Sequence, residues 1–197
     1  ILEGSKAFSK DLMKKYNIPT AAYENFDDAE KALAYLETAS FPIVLKADGL
    51  ALGKGVLICN TLEEAKDGVK SIMMDKAFGS AGNQMVIEEF MTGPEVSVLS
   101  FTDGKVIVPM ISAMDHKRAL DGDKGLNTGG MGTIAPNPFY TEAVAQECMD
   151  KIFVPTMEAM KSEGRTFKGC IFFGLMITPN GPKVIEYNCR FGDPETQ

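Results

Sequence analysis

Histidine occurs once in these 197 residues, cysteine four times and never as Cys-x-x-Cys. No apolar run approaches the ~20 residues of a membrane span. Each shortage removes a class of chemistry. The widely spaced Cys59, Cys148, Cys170 and Cys189 argue against a zinc or redox centre and for reduced thiols in the cytoplasm. His116 sits in the polar run Asp115-His-Lys-Arg118 and reads as an exposed or hydrogen-bonded side chain, not a general base. With 20 basic against 27 acidic residues and a net charge of -7, the chain lacks the basic footprint of a nucleic-acid binder. A local basic pocket for one nucleotide is compatible with that balance. The opening Ile-Leu-Glu-Gly-Ser-Lys has neither an initiator methionine nor the regions of a secretory signal. The chain therefore reads as part of a longer protein, with no membrane or nucleic-acid partner.

A composition of 45% hydrophobic and 24% charged residues suits one large globular domain or two small ones. Phe8, Leu12 and Tyr16 recur at helical spacing ahead of Pro19. Asp27-x-x-Glu30 and Thr61-x-x-Glu64 have the capping-box pattern before apolar stripes. Strands are expected at 42–47, 55–59, 85–90, 95–102, 105–111, 169–177 and 183–189. Hairpin turns fall at Asp103-Gly104 and Asn180-Gly181. Pro155 should kink or divide the helix through Val144, Cys148 and Ile152, and the glycine-rich stretch 114–138 reads as a long functional loop. Segregated helices and antiparallel strands indicate an α+β fold, not a doubly wound sheet. A hinge at Thr92-Gly-Pro94 separates an N-terminal helix and connector (1–23) and a small subdomain (24–92) from a large subdomain (93–197).

Three segments carry chemistry. In the last strand, residues two apart share a face, so Glu186 and Asn188 project together while Tyr187 and Cys189 turn the other way. A carboxylate beside an amide oxygen suits Mg²⁺, which takes few protein ligands and shares its sphere with water and phosphate. Arg190 and Asp193 follow, an anion clamp and a further carboxylate. Lys46-Ala-Asp-Gly-Leu-Ala-Leu-Gly-Lys-Gly55 joins two strands. Gly53 and Gly55 allow close backbone N–H groups, and Lys46 and Lys54 add charge for phosphates. It is not a Walker loop, because that spacing is absent and a strand follows. Val86-Ile-Glu-Glu-Phe-Met-Thr-Gly-Pro-Glu95 is an apolar strand ending in carboxylates, as an adenine nucleoside site requires.

Together these segments resemble ATP-grasp enzymes and, more narrowly, the glycinamide ribonucleotide synthetase (phosphoribosylamine–glycine ligase) family of purine synthesis. The motifs are FPIVLKADGLALGKGV, VIEEFMTGPEVS, MDHKRALDGDKGLNTGGMG and KVIEYNCRFGDPETQ. Departures at Leu52, Pro94 and Leu126 remove no donor or acceptor that the chemistry needs. The resemblance implies two α+β subdomains with largely antiparallel sheets and a nucleotide between them. It implies glycine activated by ATP to glycyl phosphate, then captured by 5-phosphoribosylamine. Lys10 and Lys46 would contact the phosphates, with 51–55 (Gly53, Lys54 and Gly55 among them) closing over them. Main-chain groups of Glu88, Glu89, Phe90 and Met91 would hold adenine, and Glu95 the ribose. Glu186 and Asn188 would carry Mg²⁺ or Mn²⁺. Asp115, Lys117, Asn127, Thr128, Gly129, Gly130, Arg190 and Asp193 are candidates for the glycine and ribose-phosphate contacts, with Asp115 and Arg190 in catalytic roles. Further domains are expected on either side of the chain. The competing readings are another ATP-grasp carboxylate–amine ligase and a non-catalytic nucleotide-binding module.

Overall fold

The computed structural model describes residues 1–49, 55–122 and 124–197. It divides into two compact units, Ile1–Asp11 with Ala21–Met91, and Leu12–Thr20 with Thr92–Gln197.

The first helix, α1 (Lys6–Lys15), has residues in both units and starts at Ser5, whose hydroxyl accepts from the Phe8 N–H at 3.1 Å. It ends at Asn17, in the left-handed region (φ 55), with Ile18 N–H returning to the Met13 carbonyl at 2.8 Å. The expected stripe of Phe8, Leu12 and Tyr16 is displaced. Ala7, Lys10, Leu12 and Met13 are buried, and Phe8 and Tyr16 only half so. An ion pair described below overrides hydropathy at Lys10.

The sheet of the first unit is antiparallel throughout, in the order β1 (Tyr23–Phe26), β4 (Met85–Glu89), β2 (Ile43–Ala47), β3 (Val56–Cys59). One face packs against α2 (Ala29–Leu36) and α3 (Leu62–Val69), burying Ile43, Leu45, Cys59, Met85 and Ile87 with Leu36, Val69 and Ile72. The cap of α2 is Asp28, not Asp27, since Asp28 accepts from the Lys31 N–H at 2.9 Å. At α3 the capping pair is as expected: Thr61 accepts from Glu64 N–H, and Glu64 reaches back to Asn60 N–H.

The second unit opens with β5 (Glu95–Thr102) and β6 (Ile107–Pro109), whose turn is closed by the Asp103 carboxylate accepting from the N–H groups of Lys105 and Val106. The stretch read as a loop is instead a double-stranded arm. β7 (Met114–Asp115) pairs with β10 (Thr133–Ile134), and β8 (Arg118–Leu120) with β9 (Lys124–Asn127). His116 and Lys117 bridge the two ladders through Met131 and Thr128. Strands of two to four residues among glycines give no periodicity to read in sequence.

The helix with Pro155 is divided as expected, by a widened turn rather than a break. α4 (Glu142–Cys148) passes through a π-helical turn at Met149–Phe153 into α5 (Val154–Ser162). Val154 N–H reaches the Met149 carbonyl, just before the proline that has no N–H to give. The main sheet closes with β11 (Gly169–Thr178) and β12 (Gly181–Asn188), in the order β12-β11-β5-β6. Their turn residues are Pro179 and Asn180, one position before the expected pair, because Gly181 already faces Thr178 in the ladder.

Candidate functional site

Two groups of charged side chains stand out, one in each unit. In the first, Lys46 on β2 and Glu88 on β4 lie on the sheet face opposite the helices, and Lys10 reaches Glu88 from α1. A single oxygen, Glu88 Oε2, receives Lys46 Nζ at 3.0 Å and Lys10 Nζ at 3.3 Å. All three are sealed from water, at 2%, 6% and 3% exposure for Lys10, Lys46 and Glu88. Lys10 also donates to the Ala21 carbonyl and lies over the Tyr23 ring. Glu88 Oε1 is buried without a hydrogen-bond partner. Burial strips the Lys10 ammonium of water and pulls its pKa down to about 8, with the Glu88 carboxylate opposing and the Lys46 charge reinforcing.

Directly paired residues in an antiparallel sheet share a face. Lys46 pairs with Val56 and Val86, and Val44 with Ile58 and Glu88. Lys46 and Glu88 therefore share a face with Val44, Val56, Ile58 and Val86, of which Val56 and Ile58 are exposed, and with Tyr23 and Asn25 of β1. Glu89 has another partner. Its carboxylate and N–H bond Ala22 N–H and carbonyl, while Phe90 and Met91 continue beyond the strand. Gly55 is buried where the chain enters β3. Gly53 and Lys54 lie outside the described residues.

The second group is acid-rich and half open. Lys117 donates to Glu95 at 3.0 Å. Burial would lower its pKa, but Glu95, Glu186 and Asp115 together outweigh that and hold the ammonium above its ordinary value. Asp115 is raised by burial first and then by Glu195 and Glu95, with Lys117 and His116 opposing. Asp115 Oδ1 is buried without a partner. Glu186 and Asn188 do share a face, opposite Gly174 and Phe172, while Tyr187 turns inward against Phe173. Gly174 leaves room for the Glu186 stem, which would lie 3.2 Å from a Cβ there.

The remaining candidates distribute unevenly. Thr128 bonds the Lys117 carbonyl through both its N–H and hydroxyl, and accepts from Gly130 N–H. Gly130, at φ 118, packs against Pro194 and Asp115. Asn127 ends β9 opposite Arg118, and Gly129 is exposed. Arg190 and Asp193 are exposed, Arg190 donating to the Phe191 carbonyl and Asp193 accepting from Gln197.

Comparison with known proteins shows the family of the chain. A family model described as phosphoribosylglycinamide synthetase, ATP-grasp (A) domain, matches residues 4–196. The chain belongs to that family. It is 53% identical over 196 residues to the phosphoribosylamine–glycine ligase of Clostridium acetobutylicum, covering all of this chain and 47% of that protein. The Escherichia coli O6:H1 ligase is 54% identical over 197 residues, with 46% of its length covered. The crystal structure of the Thermotoga maritima phosphoribosylamine–glycine ligase superposes with a TM-score of 0.92 at 37% identity, over 99% of this chain and 49% of that one. An L-amino acid ligase from Bacillus licheniformis, at 19% identity and TM-score 0.69, shares the fold alone. The chain spans about half the length of the curated relatives it matches.

Within this ATP-grasp domain, sequence reasoning assigned Glu88 a main-chain role and missed its side chain as the hub of two lysines. Glu95, read with the nucleotide, and Lys117, read with the acceptor, form one ion pair. Glu195 and the buried Asn137, whose amide donates to the carbonyls of Glu95 and Ala113, were not singled out. An isolated Asn beside prolines carries no motif. Only its tertiary hydrogen bonds reveal it.

Proposed function

We propose that this chain is the ATP-binding part of a ligase that joins glycine to 5-phosphoribosylamine through glycyl phosphate, releasing ADP and phosphate. The observation that carries this reading is the excess of buried positive charge at Lys10, Glu88 and Lys46, set on an apolar sheet face. Two ammoniums on one carboxylate make a dry site that favours polyphosphate, and Val44, Val56 and Ile58 offer a surface for a base. The names of the relatives, identical at more than half of all positions, support the same reaction for the longer protein.

Lys10 and Lys46 then hold phosphates, main-chain groups of 88–91 hold adenine, and Glu95 the ribose. Glu186 and Asn188 fit Mg²⁺ or Mn²⁺: both are half-buried oxygen donors on one face of β12, and the Glu186 charge reaches as far as Lys117. Among the described residues no group of three or more His, Cys, Asp and Glu is disposed to hold a metal ion. Such a two-donor site suits an ion that shares its sphere with phosphate. When bound, the metal would neutralise the charge developing on the transferred phosphoryl group. Asp115, Lys117, Asn127, Thr128, Gly129, Gly130, Arg190 and Asp193 are assigned to glycine and the ribose phosphate. Four free cysteines accord with a reducing compartment such as the cytoplasm.

Calorimetry with the full chain tests the assignment. Lys46→Met should weaken MgATP about 10–100-fold, the worth of one charge-assisted hydrogen bond, and adenosine hardly at all. Glu186→Gln should remove the Mg²⁺ dependence of binding while leaving metal-free ATP unaffected. Equal loss of ATP and adenosine in Lys46→Met would place the phosphates elsewhere.

A further inference from the structure

Two ammoniums pressed on one carboxylate oxygen, with almost no water, raise a question of charge. Facing Lys10 are Glu88 and Glu89 from β4, Lys46 from β2, the Tyr23 ring from β1 and the Ala21 carbonyl. Of these, Glu88 alone touches it with negative charge, and that oxygen is shared with Lys46. Without a ligand the site holds one positive charge in excess when both lysines are protonated, at a depth where an unbalanced charge is costly. The cheapest relief is loss of a proton from one of them. An arriving polyphosphate reverses the balance, because its oxygens supply the missing negative charge beside the same ammonium.

We propose that this site binds its polyanion together with a proton, which Lys10 takes up from solvent as phosphate oxygens arrive beside the shared Glu88 carboxylate. This rests on the ATP reading above and adds a coupling to it. The orphaned Glu88 Oε1 sharpens the case. That oxygen is a buried acceptor left unmet, which weakens the hold of the carboxylate on its charged neighbours. Burial also brings Lys10 down to a pKa of about 8, inside the working range of ordinary buffers. Lys10 is the member to titrate because it is the more deeply buried of the two lysines.

The sign is fixed by linkage. Near pH 6 Lys10 is charged before and after binding, and no proton moves. At pH 8 about half of the free molecules lack the proton, so binding should take up about 0.5 proton per ligand, rising further toward pH 9. Phosphate protons do not interfere there when each probe carries Mg²⁺, which drives the last of them off. The affinity should fall across the same interval.

Titration calorimetry of the full chain in buffers of different ionisation enthalpy counts the protons, with MgATP and the Mg²⁺ form of inorganic tripolyphosphate as probes. Uptake should appear with both, since the base plays no part. Lys10→Met should abolish it while Lys46 still supports weaker binding. Lys10→Arg, which keeps a permanent charge, should bind without uptake and without the decline in affinity toward pH 9. Binding whose heat is the same in every buffer at pH 8 and 9 overturns the coupling and leaves the ATP reading intact. Uptake that survives in Lys10→Met overturns it as well. A chain that binds neither probe at any pH overturns the ATP reading itself, and the coupling with it.

Discussion

The two charged groups are inverses of one another. In the first unit two lysines share one carboxylate and are almost wholly shut from water. In the second one lysine stands among Glu95, Asp115 and Glu186, and its side chain and that of Glu95 are 36% and 50% exposed. A sealed excess of positive charge waits for an anion. A half-open excess of negative charge tolerates water and suits a cation or an amine. The same residue types thus give opposite preferences through stoichiometry and depth.

One substitution made in both places sharpens this contrast. Glu88→Gln removes the buried carboxylate that Lys10 and Lys46 share and should destabilise the chain by about 3–5 kcal/mol near pH 6. Glu95→Gln leaves Lys117 with Asp115 and Glu186 and should cost only about 0.2–1 kcal/mol. Urea denaturation of both variants decides the matter, and comparable losses would break the distinction between dry and wet clusters.

A smaller effect is expected where the arm meets the acid cluster. Alanine at Gly130 would place a Cβ against Pro194 and 2.9 Å from Asp115 Oδ1, at a φ of 118 that L-residues avoid. A loss of about 1–3 kcal/mol should follow. Gly129 has nothing within 4 Å of a Cβ and no positive φ, so Gly129→Ala should stay within about 0.5 kcal/mol of the parent. Thermal melts of this pair isolate the packing of the arm from its flexibility as a chain.

The smallest effect is electrostatic. Burial and neighbouring acids hold Asp115 above the ordinary carboxylate range. The folded state therefore binds the proton more tightly than the unfolded one, and stability falls as pH rises through that window. At neutral pH the folded chain carries this cost in full. Asp115→Asn should raise the melting temperature slightly at pH 7, with the gain closing as pH drops below the carboxylate range.

Local rules made much of the fold legible. Alternation put Glu186 and Asn188 on one face, and Asp103-Gly104 marked its hairpin. What escaped was long-range or very short. Lys10 sits on a helix like any solvated lysine, and its partner lies 78 positions away at Glu88. The arm of β7 to β10 is made of strands too brief to show a period. Errors of one residue, at the cap of α2 and the turn after Thr178, arose where two adjacent residues both had the chemistry for the role.

The alternation along β12 is itself interrupted. Gly174 faces Glu186 but Leu175 faces Val184, so the register shifts by one residue at Ile185. This surplus residue is why Val184 and Tyr187, three apart, both turn inward. It also makes Ile185 the position where the strand can be shortened by one without trading its two sides. Removing it would join Val184 to Glu186 and keep both residues opposite their present partners. Removing Glu186 instead would put Ile185 opposite Gly174, in the place the carboxylate now holds. In this segment, where a deletion falls matters more than which residue it takes.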